Sequence, residues 1–116
     1  MIDETIYNIL KTVNANTYPG AIEQEINPPF ISHRQLSMEP YPTKDGASTV
    51  DILDYQVGSF AETKAEVMTM AAAIRAALDE YSATGIKIRI SDQKDSYDEE
   101  SQLYVVIQNF RIRLKQ

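Results

Sequence analysis

Ser96-Tyr97-Asp98-Glu99-Glu100-Ser101-Gln102-Leu103-Tyr104-Val105-Val106-Ile107-Gln108-Asn109-Phe110-Arg111-Ile112-Arg113-Leu114 joins an acidic loop to a long alternating segment. Tyr104, Val106, Phe110, Ile112 and Leu114 fall on one face, and Asn109, Arg111 and Arg113 on the other, the two-residue period of a strand. Leu103, Val105 and Ile107 make its first half apolar on both faces, which predicts a central antiparallel strand covered on both sides.

Immediately upstream, Ile86, Ile88 and Ile90 alternate with Lys87, Arg89 and Ser91, a second strand with one apolar and one polar face, and residues 92–102 read as the acidic loop between the two. Before it, Phe60, Lys64, Val67, Ala71, Ile74, Leu78 and Tyr81 recur at steps of four and three, the stripe of an amphipathic helix. Ser59-Phe60-Ala61-Glu62 has capping-box spacing and keeps Phe60 on the stripe, so the helix is expected to start there; Thr63-Lys64-Ala65-Glu66 carries the same signature one turn later. Gly85 is expected to close the helix in a left-handed cap. Alanines at 71–73, 76 and 77 make good helix and also let a neighbour approach the backbone closely.

The first half of the chain is less regular. Residues 49–57 alternate, with Leu53, Tyr55 and Val57 on one face, and residues 30–38 form a weaker strand after Pro29. His33, the only histidine, has no recognisable acid-base or ligand partner nearby and reads as a hydrogen-bonded structural residue. Residues 39–48 are expected to be a long loop, because Pro40 and Pro42 bar a ladder and Asp45-Gly46 offers a turn. At the start, Ile2, Ile6, Ile9, Leu10 and Val13 mark a short helix with Asp3 and Glu4 in its first turn. Residues 14–29 lose all periodicity around Tyr18-Pro19-Gly20 and Asn27-Pro28-Pro29, a connector whose Tyr18, Ile22 and Ile26 are expected to tuck against the core. The order is helix, strand, strand, helix, strand, strand. The expectation is an α+β fold over residues 1–116, one domain, with a four-stranded antiparallel sheet and both helices on one face.

Composition narrows the function. A chain of 116 residues without cysteine buries roughly 65% of its unfolded surface and needs no disulfide or metal to fold. Acids at Asp3 and Glu4 stand where a secretory signal carries bases, and no apolar run approaches the roughly 18 residues of a membrane span, so a soluble intracellular chain is expected. A net charge of -6 with 11 scattered bases argues against a dedicated phosphate-backbone binder; the row Arg111, Arg113 and Lys115 reads as a solvated or subunit-facing side. The acids Asp92, Asp95, Asp98, Glu99 and Glu100 do not make a calcium loop, because Lys94 stands at the second ligand position and Tyr97 at the turn glycine. Gly-rich phosphate loops, zinc spacings and nucleophile elbows are missing from the sequence, so neither an enzyme nor a bound cofactor or metal is expected.

The closing segment resembles that of the tail completion, or tail terminator, proteins of long-tailed bacteriophages and prophages. Its carriers are the acidic turn Tyr97-Asp98-Glu99-Glu100, the pair Leu103-Tyr104, and the strand end Asn109-Phe110-Arg111-Ile112. Pro28-Pro29-Phe30-Ile31, Tyr18-Pro19-Gly20 and the helix over 61–78, ending Ile74-Arg75-Ala76-Ala77-Leu78, are similar as well and follow in the same order. The proline-rich loop at 39–48 departs from the family pattern. The resemblance implies a structural virion protein, in the tail or neck and assembled in the host cytoplasm. It would form a ring, typically a hexamer, on the completed tail tube, stop tube growth and offer the surface for head joining. Implied partners are further copies of the chain, the major tail tube protein, a neck or head-completion protein, and DNA in transit, with no membrane. Other readings are a neck connector one layer nearer the head, or a small acidic binding module. Glu39, Tyr41, Lys44 and Asp45 on the stiffened loop, with Tyr41 as anchor, and Asp95, Asp98 and Glu99 on the acidic loop are the candidate interface residues.

Overall fold

The computed structural model describes residues 2–14, 16–19, 28–41, 50–83 and 85–115, without the side chains of Asp3, Glu39, Pro40 and Tyr41. In chain order the elements are α1 (Ile2–Val13), β1 (Thr17–Pro19), β2 (Phe30–Tyr41), β3 (Val50–Ala61), α2 (Lys64–Leu78), β4 (Ser82–Ala83), β5 (Ile86–Asp98) and β6 (Leu103–Lys115). One curled sheet runs β1-β2-β3-β6-β5-β4, with β1 parallel to β2 and every other pair antiparallel. The expected four-stranded antiparallel sheet is therefore corrected to a six-stranded mixed one. Both added strands are edge pieces of three and two residues, too short for any alternation to register in sequence.

Strand β6 lies between β3 and β5, and its even positions carry the core: Val106, Phe110 and Ile112 are buried against Leu53, Tyr55 and Val57 of β3 and Ile88 of β5. Helix α2 adds Val67, Met70, Ala71, Ile74 and Leu78, and α1 adds Ile6 and Leu10, to the same cluster. Each of the larger side chains, Val to Phe, contributes about 1.5–3 kcal/mol on leaving water, an upper estimate of its share. Gln108 shares this buried face and is fully enclosed. Its amide donates to the Ala71 carbonyl at 3.0 Å and to Gln93 Oε1 at 2.9 Å, joining the central strand to α2 and β5. His33 is also buried on this side, its Nδ1 2.7 Å from the Tyr55 hydroxyl, a core hydrogen bond.

Several boundaries differ from those expected. Helix α2 begins after Thr63, whose hydroxyl accepts from the Glu66 N–H at 3.2 Å; Ser59 is buried inside β3. The strand prevails over the earlier capping signal because Phe60 stacks on Phe30 at 4.6 Å and the ladder to β6 continues through Ala61. The helix ends at Leu78, with the Asp79 N–H on the Arg75 carbonyl at 2.8 Å, and Glu80 takes the left-handed conformation (φ 62°). Gly85 instead serves the β4–β5 turn at φ 78°, where its carbonyl accepts from the Lys115 N–H at 2.7 Å. Strand β2 continues to Tyr41 and so takes in Glu39 and Pro40, which the loop reading had excluded. Pro40 lies beyond the part of β2 that β1 covers, an edge where a prolyl nitrogen facing outward costs no ladder bond. Tyr18 is half-buried in β1, while Ile22 and Ile26 lie outside the described residues.

Both outer long strands carry a bulge, between Gln35 and Ser37 in β2 and between Ile90 and Asp92 in β5. The two fall on one transverse row, Gln35 opposite Tyr55, Tyr55 opposite Phe110, Phe110 opposite Ile90. Each shifts the alternation of its strand by one residue. Beyond the bulge in β5, it is Gln93, Asp95 and Tyr97 that share the helix-bearing side with Gln108, Val106 and Tyr104.

Candidate assembly surface

The expected acidic loop is largely strand. Strand β5 runs to Asp98 and pairs residue for residue with β6, leaving only residues 99–102 as the turn. Every side chain from Ser91 to Asp98 is exposed, so this half of β5 is a solvated edge, and its charges guard that edge against unwanted strand pairing. Asp98 is engaged by its own turn: Oδ1 accepts from the Glu100 N–H at 3.2 Å and Oδ2 from the Ser101 hydroxyl at 2.9 Å. Gln102 completes the turn at φ 59°. Glu99 and Glu100 are left projecting at the apex, both exposed.

Behind the turn, Tyr97 tilts against Tyr104 with ring centroids 4.8 Å apart. With Val67 and Met68 of α2 and Lys64 at the lip, they border a groove of about 220 Å³. Tyr97 is 48% and Met68 38% exposed, so much of this apolar lining remains open. On the face away from the helices, the Phe30–Phe60 stack, Leu103 and Ile107 border a second groove of about 410 Å³. This stack is part of what covers the other side of β6, where a second layer had been expected.

The opposite end of the sheet is basic. Lys87 stands opposite Arg113 and Arg89 opposite Arg111 on neighbouring strands, on the face away from the helices, with Lys115 beyond them. Asp54 of β3 approaches Arg111 at 3.7 Å. Lys87, Arg89, Arg111 and Arg113 line a hollow of about 610 Å³ that Tyr81, Ile52 and the acidic Glu80 also border.

The candidate residues named from sequence are divided between the two ends. Glu39 and Tyr41 belong to β2, opposite Ile52 and Val50, at the basic end, while Asp95, Asp98 and Glu99 lie at the turn end. Lys44 and Asp45 fall outside the described residues. Lys87 and Arg89 were missed as site residues, because only the pairing register brings them beside Arg113 and Arg111. Among the described residues no three His, Cys, Asp or Glu side chains gather as a metal set, and no helix is long and apolar enough to cross a membrane. Asp95 and Asp98 are spaced out along an extended strand, so calcium or magnesium is expected to leave the melting temperature unchanged. Calorimetry that finds a stoichiometric calcium site lost in Asp98→Ala would overturn this.

Fold and surface together define a small α+β protein whose distinctive features are two oppositely charged ends and shallow open grooves. Residues 4–115 match the family model described as tail completion protein gp17. The chain belongs to that family, and is thereby a structural protein of the phage-type virion tail. Its fold is similar to that of a chain in the solved virion of a native gene transfer agent particle, with a TM-score of 0.71 and 14% identity over 96% of this chain and 92% of that one. No curated protein matches the sequence.

Proposed function

We propose that this protein, acting as one domain over residues 1–116, forms a ring on the end of the finished tail tube. The ring stops polymerisation there and presents the surface to which the head is joined. The observation that carries the reading is the family match over nearly the whole chain, and the elongated shape, 52 × 23 × 22 Å with unlike ends, supports it. A closed ring needs two different surfaces on each copy, meeting head to tail. The ends of this sheet differ in charge and in shape, as that requirement asks. The protein acts by contact, and no reaction is assigned to it.

In this reading the ring contacts further copies of the chain, the tube protein and a neck protein, and DNA passes through it. Glu39 and Tyr41 serve contacts at the basic end, and Asp95 and Glu99 at the turn end, while Asp98 holds the turn in shape; Lys44 and Asp45, outside the described residues, are proposed as contacts from the sequence alone. Disrupting the gene in a producing cell is expected to give tubes of irregular, excessive length without heads, and the purified protein is expected to be multimeric by native mass measurement. Tails of normal length that merely lack heads would move the protein to the neck. A strictly monomeric protein that leaves tube length unaffected would overturn the proposal.

A further inference from the structure

The bases at the open end of the β5–β6 hairpin form a concentrated cationic site on an otherwise acidic chain. Five of the 11 lysines and arginines, Lys87, Arg89, Arg111, Arg113 and Lys115, sit on one face, at the start of β5 and the end of the adjacent β6. Two cross-strand pairs set like charges directly opposite each other, an arrangement that weakens a hairpin unless anions come close. Among the described residues only Arg111 of the five has an ion-pair partner, Asp54, and at 3.7 Å on a largely exposed side chain that pair does little. Lys87, Arg89 and Arg113, with the weakly paired Arg111, border a hollow of about 610 Å³ whose lining carries one acid, Glu80, so the hollow keeps an excess of positive charge that suits an anionic occupant.

The same hairpin carries such an occupant at its other end. Glu99 and Glu100 project from a tight turn that Asp98 braces from within. From Lys87 to Asp98 the strand advances eleven residues, about 36 Å at the rise of a β-strand. That is several times the screening length of about 8 Å at physiological salt, so the acidic turn cannot neutralise the basic hollow of its own molecule. It can reach the hollow of another.

We propose that the basic hollow formed by Lys87, Arg89, Arg111 and Arg113 receives the acidic turn of a second copy, with Glu99 and Glu100 as its leading groups, so that copies join head to tail. The contact rests on the ring reading and gives it a specific joint. A projecting turn suits a hollow better than a duplex does, and a chain of net charge -6 repels a polyanion as a whole. The arrangement also sets direction, because turn against turn or hollow against hollow brings like charges together.

Charge exchange tests the joint. Three full-length variants are compared with the parent by native mass measurement and sedimentation over a salt series: R89E/R113E, E99K/E100K, and the fourfold combination. All four side chains are exposed, so the fold is expected to persist, with circular dichroism as the check. Each double variant is expected to associate about a hundredfold more weakly than the parent. The fourfold variant, with both signs reversed, is expected to regain assembly, as is an equimolar mixture of the two doubles if the ring has an even number of members. Parent assembly should weaken as salt rises. If the parent assembles and the doubles do so equally well, this joint is wrong while the ring reading stands. If the parent stays monomeric at every concentration and salt, the joint falls, and the ring reading falls with it only if tube length is also unaffected by loss of the protein. Should the doubles assemble normally but R89E/R113E alone lose affinity for a fluorescent DNA duplex, the hollow is a nucleic-acid surface and the joint is overturned.

Discussion

Phe110→Ala is expected to destabilise the protein by about 3–5 kcal/mol, the range for removing a large buried aromatic ring. Phe110 is buried in the central strand, opposite Tyr55 on one side and Ile90 on the other, so its ring lies under the row where both bulges fall. Collapse into the void is hindered because its neighbours are held by ladders on both sides. Since small proteins have only about 5–15 kcal/mol in hand, the variant is expected to be partly unfolded at growth temperature. Urea denaturation measures the loss, and a value below about 1 kcal/mol would place Phe110 outside the core and overturn the facing of β6.

Gly85→Ala comes next in size. At φ 78° any side chain meets its own backbone, which costs about 1–2 kcal/mol before neighbours are considered. Here a Cβ would also stand 2.9 Å from the Lys115 carbonyl oxygen, a backbone atom tied into the same turn by the Lys115 N–H to Gly85 carbonyl bond. Relief therefore requires the end of β6 to move away from the β4–β5 turn. Gly58→Ala is the control. A Cβ there meets side-chain atoms of Phe60, Ser32 and Ile107 at 3.0–3.3 Å, groups that can shift, so its cost is expected to be smaller. Denaturation midpoints compare the two, and equal stability of Gly85→Ala and parent would rule out the left-handed turn.

How legible these features were depended on whether burial leaves an alternation behind. Strand β6 was readable because Val106, Phe110 and Ile112 recur every second residue, and α2 because Val67, Ile74 and Leu78 recur at helical spacing. The distal half of β5 was not. All its side chains from Ser91 to Asp98 are exposed, so nothing in the sequence distinguishes that strand from an acidic loop; only pairing with β6 makes it one. Gln108 was passed over because a polar residue interrupts an apolar stripe, yet its bonds to Ala71 and Gln93 make burial affordable in exchange for water. At the assembly surface, Arg111, Arg113 and Lys115 could be read along one strand, and the acidic turn along the chain. Lys87 and Arg89 entered only through register, a relation between residues more than twenty apart in sequence. Register also set the relation between the two candidate loops, which the sequence left open, with Tyr41 at one end of the sheet and Asp98 at the other.

The paired bulges act together on the shape of the sheet. One extra residue is threaded into β2 and one into β5, at the same level, while β3 and β6 between them run without interruption. At a bulge two residues oppose one, so the strand bends there and its right-handed twist increases, and here the strands on both sides of the central pair bend at one level. The curvature of this sheet is consequently written into the residue tally of its strands. It would persist wherever the protein is placed, giving any assembly built from it a surface whose shape is set beforehand.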